Sequence, residues 1–463
     1  MTSRATKDIA VMNDRRTQNR KNKSVIFGLG DSGLSVARFL HRQGEDFVLV
    51  DTRDIPPNIA TINAEFPEHR KVFGNLDGFD LTSFSQIIIS PGLARSEPIA
   101  QRAIESDIPV LGDIEIFYRN AKAPIIAITG SNGKSSVVTL VTEMLKEAGL
   151  SALCGGNIGI PALDLLTHSV PDYYVLEVSS FQLESIQDFS PNIAAILNLS
   201  PDHMDRYTSF SEYVATKFKI VEKAASIVLH HDELDVLANY NLVPTATFSG
   251  QRTSKADYKI IGEDRSLSLS VNGVASIETQ TLSLRGTHNI ENALAAMAIT
   301  DLAGITLSAQ ATVLGNFSGL EHRTEFVGRW NDVTWINDSK GTNVGATVAA
   351  LTGVFSAKEQ GILIAGGVGK GADFSILRGA IAQHTPAVIL FGQDASTIAA
   401  AIEGAAEVHL VADLEAAIRM ANSTAEPGST VLFSPACASF DMFTDYQQRG
   451  KIFKQLVNEV NSQ

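Results

Sequence analysis

Residues 124–149 constrain the fold more than any other stretch, through Ile125-Ile-Ala-Ile-Thr-Gly-Ser-Asn-Gly-Lys-Ser-Ser136. Ile125 to Ile128 is an unbroken apolar run, as expected of a strand buried on both faces of a sheet. A glycine turn follows, and Val137, Leu140, Val141, Met144 and Leu145 then recur at helical spacing. Strand, glycine turn and helix start make a seat for phosphate. Backbone N–H groups between Gly130 and Gly133 converge on an anion, the helix N-terminus adds about half a positive charge, and Lys134 supplies a whole one. Ser135 or Ser136 can set a hydroxyl on Mg²⁺. The spacing is G-x-x-G-K-S, shorter than the usual phosphate loop, whose first glycine would fall on Ile128. Taken alone, the segment also reads as an ordinary strand-to-helix turn with an exposed lysine.

The same alternation of strand and helix recurs along the 463 residues, which suffice for two or three domains with separate cores. Ser24-Val-Ile-Phe-Gly-Leu-Gly-Asp-Ser-Gly33 runs a strand into G-x-G-x-x-G, and Phe47-Val-Leu-Val ends in Asp51. This is a Rossmann-like dinucleotide fingerprint, although any diphosphate suits such a turn. A third strand, Gln86 to Ser90, stops at Pro91-Gly92, and a new helix begins at Asp113 and Glu115.

Further on, Cys154-Gly-Gly-Asn-Ile-Gly-Ile-Pro161 allows close approach to a ligand, with Asn157 its one side chain able to donate and accept. Glu177 interrupts the apolar strand Tyr173 to Val178, where an unpaired carboxylate is costly unless a metal or a cation meets it. Asp202, His203 and Asp205 crowd the carboxyl end of the strand Ala194 to Leu199. In the next helix Ser209 and Glu212 form a capping-box pattern, and Lys217 falls on the apolar stripe. It either snorkels to the surface or meets an acidic or metal-bearing site.

Short alternating stretches such as Leu267 to Val271 predict an antiparallel edge, and Arg285-Gly-Thr-His-Asn begins an alanine-rich helix. His288, Asn289 and Asn292 in its first turn are caps or polar contacts for a base. A hinge-like Gly319-Leu-Glu-His-Arg323 precedes the strand Val333 to Asn337, whose loop carries Asp338, Lys340 and Thr342. A second glycine-rich turn carries Lys370, and the strand Thr430 to Ser434 enters Pro435-Ala-Cys-Ala-Ser-Phe440. Cys437 has no histidine beside it in sequence, which weighs against a nucleophile.

Composition narrows the function. A formal charge of −14 opposes general nucleic-acid binding, and 44% hydrophobic with 19% charged residues indicates a soluble globular chain. Cys154 and Cys437 have no metal-ligand spacing, which points to a reducing compartment. Residues 1–22 form a basic flexible tail without the apolar core of a secretory signal. No apolar run approaches the roughly 20 residues that cross a bilayer.

Five stretches resemble, in order, the ATP-dependent Mur ligases of peptidoglycan synthesis over essentially all of residues 23–463. They are Thr129-Gly-Ser-Asn-Gly-Lys-Ser, Gly155-Gly-Asn-Ile-Gly, Leu176-Glu-Val-Ser-Ser-Phe-Gln-Leu-Glu, Asp202-His-Met-Asp-Arg and Asn337-Asp-Ser-Lys. Within the family, Gly112-Asp-Ile-Glu, Ser179-Ser-Phe-Gln-Leu-Glu and Ser434-Pro-Ala-Cys-Ala-Ser look like the branch that adds D-glutamate.

The resemblance implies three α/β domains: a Rossmann-like UDP-substrate domain over 23–112, a central P-loop-type ATPase domain with a mainly parallel sheet over 113–319, and a Rossmann-like amino-acid-binding domain over 320–463. It implies a monomeric cytoplasmic ligase that uses ATP and Mg²⁺ to join D-glutamate to UDP-N-acetylmuramoyl-L-alanine, without nucleic acid or membrane insertion. UDP then replaces NAD at the first glycine turn. The ATP site would comprise Gly130, Ser131, Asn132, Gly133, Lys134, Ser135 and Ser136 with Asn292, Arg323, Asp338 and Lys340. Lys134, Glu177, His203 and Lys217 would be catalytic. Ser135, Glu177 and His203 would serve the metal, joined by Lys217 because the family's lysine at this position is carbamylated. The UDP substrate would meet Gly30, Asp31, Ser32, Asp51, Thr52, Arg53, Ser90, Gly92 and Asn157, and D-glutamate would meet Thr342, Lys370, Ser439, Phe440 and Tyr446.

Two positions depart from the family pattern. Gly341 stands where alanine is usual and Tyr446 where phenylalanine is expected, and both point to altered affinity with activity retained. Rival readings are an NAD-dependent oxidoreductase resting on Gly28, Gly30, Gly33 and Asp51, a non-catalytic nucleotide-binding regulator, and a ligase of the same family adding another amino acid, folylpolyglutamate synthetase included.

Overall fold

The computed structural model describes residues 23–240, 242–263, 266–283, 287–355 and 361–461. The basic tail 1–22 and the Arg285-Gly286 opening of the alanine-rich helix lie outside them. Among the described residues the chain is α/β with three sheets, mainly parallel. It divides into two compact units: the described part of Met1–Thr129 with Gly149–Ala195 and Val214–Ile227, and Gly130–Ala148 with Ile196–Tyr213 and the described part of Val228–Gln463.

In the first unit, β1 (Lys23–Phe27), β2 (Asp46–Asp51), β3 (Lys71–Phe73), β4 (Gln86–Ile89) and β5 (Val110–Gly112) form a wholly parallel sheet in the order β3-β2-β1-β4-β5. The unbroken apolar strands predict this, because crossover helices cover both faces of such a sheet. Val25, Phe27, Val48, Val50, Ile87 and Ile89 pack on one side with Phe79 and Phe84. Each contributes about 1.5–3 kcal/mol of burial. The unit also holds β6 (Ile125–Thr129), β7 (Ala152–Gly156) and β8 (Tyr173–Glu177), with β8 parallel to both others. β9 (Ile193–Ile196) follows in the chain. Bonds within this unit cross the 112/113 position: Gly112 N donates to Ser185 O at 2.9 Å and Gln182 Nε2 to Asp113 Oδ2 at 3.0 Å. The buried Glu115 carboxylate accepts the N–H groups of Gln187, Asp188 and Phe189.

The second unit takes in β10 (Ser226–His230), β11 (Ala246–Ser249), β12 (Tyr258–Ile261), β13 (Ser268–Val271) and β14 (Val274–Glu278). β10 to β12 are parallel, and β13 and β14 supply the antiparallel edge expected from the alternation. Its other sheet joins β15 (Glu325–Trp330), β16 (Val333–Asn337), β17 (Gly361–Gly366), β18 (Ala387–Phe391), β19 (Glu407–Leu410) and β20 (Thr430–Phe433) in the order β15-β16-β20-β17-β18-β19. All are parallel except β15, and neither β15 nor β19 is anticipated from the sequence. Trp335, Ile364 and Phe433 pack against Phe453 and Val457 of the helix Tyr446–Asn461. β16, β20 and β17 are adjacent, so the loops that follow them gather at one carboxyl edge, where α/β sheets place their ligands.

Candidate functional site

The 130–136 turn of the second unit is held in shape by side chains from well separated segments. Gly133 begins the helix Lys134–Glu147 with φ +82°. A Cβ there would lie 2.3 Å from Oδ1 of Asn292, so both backbone and space require glycine. Asn198 Oδ1 accepts the Asn132 N–H at 2.8 Å while its Nδ2 donates to Asn132 O at 3.1 Å. Ser131 Oγ donates to Ser200 O, accepts the Ser200 N–H and lies 2.9 Å from the buried Tyr213 hydroxyl. Lys134 Nζ donates to Gly130 O at 2.8 Å and Ser131 O at 3.0 Å, and Arg323 Nη2 donates to Ser135 Oγ at 2.6 Å. Asn343 Nδ2 reaches Asn132 Oδ1 and Asp202 Oδ2, while its Oδ1 caps the helix Val344–Val354 by accepting from Ala346 N.

Beside this loop lies a cavity of about 630 Å³, within the range of small-molecule sites. Asn132, Gly133 and Ser136 line it together with Asn292, Arg323, Asp338 and Lys340, which are far apart in sequence. Four residues assigned to ATP by sequence, Gly130, Ser131, Lys134 and Ser135, are not on its lining. His288 and Asn289 also face the cavity, and burial pushes the His288 pKa below its ordinary value. Burial raises the Asp338 carboxyl to about 6, against opposing bonds from Ser434 Oγ and the Thr324 N–H.

His203 has φ +57° and its N–H donates to Asp202 Oδ1 at 3.0 Å. Burial lowers its pKa and Lys370 and Lys134 push the same way, against Asp202 and Asp205. The helix start nearby differs from the expected box in one bond: Ser209 Oγ accepts the Glu212 N–H, but the Glu212 carboxylate reaches Thr208.

At the gathered carboxyl ends, the loop after β16 carries Asp338, Lys340 and Thr342, that after β17 carries Lys370 at φ +52°, and that after β20 carries Ser439 and Phe440. Ser439 is buried, whereas Phe440 is 72% exposed. Lys340 Nζ sits 3.8 Å from the centre of the Tyr446 ring, an arrangement that phenylalanine would also offer. Gly341 is tightly enclosed: a Cβ would lie 2.5 Å from Asp338 Oδ2 and 2.6 Å from Ser434 Oγ. Cys437 is fully buried, which pushes its thiol to about 12 and leaves no thiolate to act as nucleophile.

In the first unit, Glu177 ends β8 and is 2% exposed. Its carboxylate is met by a neutral partner as well, since Asn157 Nδ2 donates to its Oε1 at 2.7 Å. Lys217 is also 2% exposed, with Nζ 3.3 Å from Thr129 Oγ1, so it turns inward and does not snorkel. Gly30, Asp31 and Ser32 follow β1, Asp51, Thr52 and Arg53 close β2, and Ser90 and Gly92 follow β4, all at one edge of the sheet. The Asp51 carboxylate accepts from Leu29 N and from Arg53 N, Nε and Nη2. Burial favours its neutral form, but these donors outweigh it and hold the pKa below the ordinary value. Arg53 therefore occupies the carboxylate that an NAD ribose would need, against the oxidoreductase reading.

Among the described residues no three His, Cys, Asp or Glu side chains cluster as metal ligands. Of the four predicted metal residues, Glu177 and Lys217 belong to the first unit and Ser135 and His203 to the second. Each unit by itself offers an oxygen donor of the kind a hard divalent cation takes, Ser135 in the second and Glu177 in the first, where Lys217 could join only as a carbamate. Among the described residues no helix is long and apolar enough to cross a membrane.

Sequence reasoning missed several side chains that shape the site. Asn198 had a usable signal, since it interrupts an apolar strand as Glu177 does. Tyr213, Asn343 and Ser339 had none, because the partners that define them lie far away in sequence.

Comparison with known proteins identifies three consecutive matches. The MurD-like N-terminal domain of Mur ligases matches residues 22–112, the Mur ligase middle domain 128–300, and the Mur ligase glutamate ligase domain 322–437. The UDP-N-acetylmuramoylalanine--D-glutamate ligase of Nitrosococcus oceani is 42% identical over 450 residues, covering 95% of this chain and 97% of that protein. Its counterpart in Pseudomonas aeruginosa is 42% identical over 441 residues, covering 94% and 98%. Among solved structures, MurF from Acinetobacter baumannii aligns with a TM-score of 0.63 at 16% identity, covering 97% of this chain and 98% of that one. UDP-N-acetylmuramate-alanine ligase MurC from Thermotoga maritima aligns at 0.61 and 20%, covering 95% and 99%. These two likenesses establish the shared fold.

Proposed function

Because the chain belongs to the Mur ligase family, we propose that it joins D-glutamate to UDP-N-acetylmuramoyl-L-alanine with ATP, releasing ADP and phosphate during cytoplasmic assembly of peptidoglycan precursors. The observation that carries this reading is the glycine-bent loop ending in Lys134, set beside a cavity lined by Asn292, Arg323, Asp338 and Lys340.

In this reading the cavity takes the nucleotide, with Gly130 to Ser136 around its phosphates. The substrate's alanyl carboxylate attacks the γ-phosphorus, forming an acyl phosphate and ADP. The amine of D-glutamate then attacks the acyl carbon and inorganic phosphate leaves. Lys134 exchanges its bonds to Gly130 O and Ser131 O for phosphate oxygens and offsets repulsion between the two anions. Arg323 and Ser135 act as a bonded pair at the start of the helix. Asn157 orients Glu177, and with the residues closing β1, β2 and β4 it is assigned to the UDP substrate. Thr342, Lys370, Ser439, Phe440 and Tyr446 are assigned to D-glutamate. Ser135 and His203 in one unit, and Glu177 and carbamylated Lys217 in the other, are each assigned to Mg²⁺, which would supply charge neutralisation at the phosphates.

Magnesium-dependent phosphate release with UDP-N-acetylmuramoyl-L-alanine tests the proposal, comparing D-glutamate with L-glutamate, L-alanine and diaminopimelate. Release with D-glutamate alone is expected. Equal release with another amino acid moves the protein to a different branch of the family, and none at all rejects the reading.

A further inference from the structure

We infer that Arg449 is a positioning residue for the amino-acid-adding step, tying the loop after β16 that carries Lys340 and Thr342 to the loop after β20 that carries Ser439. The inference rests on the proposed function for the substrate it names, while the tie itself stands on geometry.

Arg449 lies in the first turn of the helix Tyr446–Asn461 and is wholly buried. Its Nε donates to Ser339 Oγ at 3.1 Å and its Nη2 to Ser339 O at 2.8 Å. Nη1 and Nη2 both donate to Cys437 O at 3.1 Å. One planar fork thus bridges two loops, reaching 110 residues back to Ser339 and 12 back to Cys437. Ser339 Oγ in turn donates to Tyr446 O at 2.9 Å, and the Tyr446 ring lies under Lys340. The first turn of this helix therefore fixes both loops at once.

The energetics argue against a filler role. Burial draws the guanidinium pKa down to about 10, so it stays charged at neutral pH. Among the described residues it forms no ion pair with a carboxylate, and its charge is met by carbonyls and one hydroxyl. The Asp441 and Asp338 carboxylates favour that charge through space, but a buried cation is still expensive, and an apolar side chain of similar volume is commonly as stable or more so. The face of Phe433 lies 5.9 Å from the guanidinium, which accommodates the fork without anchoring it. Lysine would keep the charge but cannot make four bonds in one plane.

Kinetics of the full-length Arg449→Lys variant test the inference. Losing the fork should raise the KM for D-glutamate by about tenfold or more. The KM for UDP-N-acetylmuramoyl-L-alanine should stay within about twofold, with the melting temperature nearly kept. Added guanidinium should partly restore Arg449→Ala. An unchanged D-glutamate KM in a folded variant overturns the inference, as does a parallel rise in every KM that tracks a fall in melting temperature. If the Arg449 variants do not fold, Ser339→Ala removes a single acceptor of the fork and should shift the D-glutamate KM in the same direction by about threefold. No such shift again overturns the inference.

Should the wild-type protein form no ADP with D-glutamate, the proposed function falls and hydrogen exchange decides on the tie. Amides of residues 338–342 and 437–440 should exchange faster in Arg449→Lys while those of β20 keep their protection. Unchanged exchange in both loops refutes the tie.

Discussion

Replacing Gly133 by alanine challenges the glycine turn before the helix Lys134–Glu147 where it is least forgiving. At φ +82° a residue with a Cβ carries about 1–2 kcal/mol of left-handed strain. The new methyl would also lie 2.3 Å from Asn292 Oδ1 and 3.3 Å from its Cγ, and overpacking of this kind costs about 1–3 kcal/mol. The total is about 2–5 kcal/mol, a large part of the roughly 5–15 kcal/mol that holds a domain folded. Both tryptophans, Trp330 and Trp335, belong to the unit that contains Gly133 and Asn292. Urea unfolding followed by tryptophan emission therefore reports on the relevant part of the chain. Gly133→Ala should destabilise it by about 2–5 kcal/mol, whereas in an Asn292→Ala background the same change should cost only the backbone strain of about 1–2 kcal/mol. A coupling energy within about 0.5 kcal/mol of zero would show that Asn292 is not what the methyl meets, and the reasoning fails.

Lys134→Ala should lower ADP formation by at least about a hundredfold while the Kd for the UDP substrate, measured by calorimetry, changes by no more than about threefold. Comparable losses in both would remove Lys134 from the phosphates. The Asp338 carboxyl is raised from 3.8 to about 6, so the folded chain binds its proton more tightly than the unfolded chain. The stability this confers is complete below pH 3.8 and is lost as pH rises through about 6, a difference of roughly 3 kcal/mol. Asp338→Asn should accordingly flatten the fall in urea midpoint between those values, and a parallel fall in the variant would reject the assignment. Inward-facing Lys217, if carbamylated, makes activity depend on dissolved carbon dioxide. Stripping bicarbonate should depress turnover and its return restore it, whereas an indifferent enzyme would count against the modification.

Much of the architecture is legible because its strands are local apolar runs followed by glycine. The segments around Val25, Ile126 and Ile364 are of that kind, those around Val175 and Leu432 are apolar runs closed by serine, and each becomes a buried strand. β15 escapes for a physical reason: it is an antiparallel edge with an irregular register between Phe326 and Gly328, so its exposure follows no clean alternation. β19, Glu-Val-His-Leu, is a short edge strand with both ends exposed. In the site, Lys134, Glu177 and Lys217 announce themselves by chemistry at odds with their surroundings. What occupies each of them does not, since the bond from Asn157 to Glu177 and that from Arg323 to Ser135 join residues 20 and 188 positions apart. Arg449 is the extreme case. Nothing in Tyr-Gln-Gln-Arg marks its arginine, and only loops folded from elsewhere make it a buried one.

The enclosure of Gly341 bears on how such a chain can change over time. Placing alanine there would press a methyl onto the Asp338 carboxylate and the Ser434 hydroxyl, which are themselves hydrogen-bonded at 2.7 Å. Alanine at this position is thus excluded by its surroundings, and it becomes harmless only when Asp338 and Ser434 change with it. Swapping single positions between homologues would therefore misjudge this site unless the three are exchanged together.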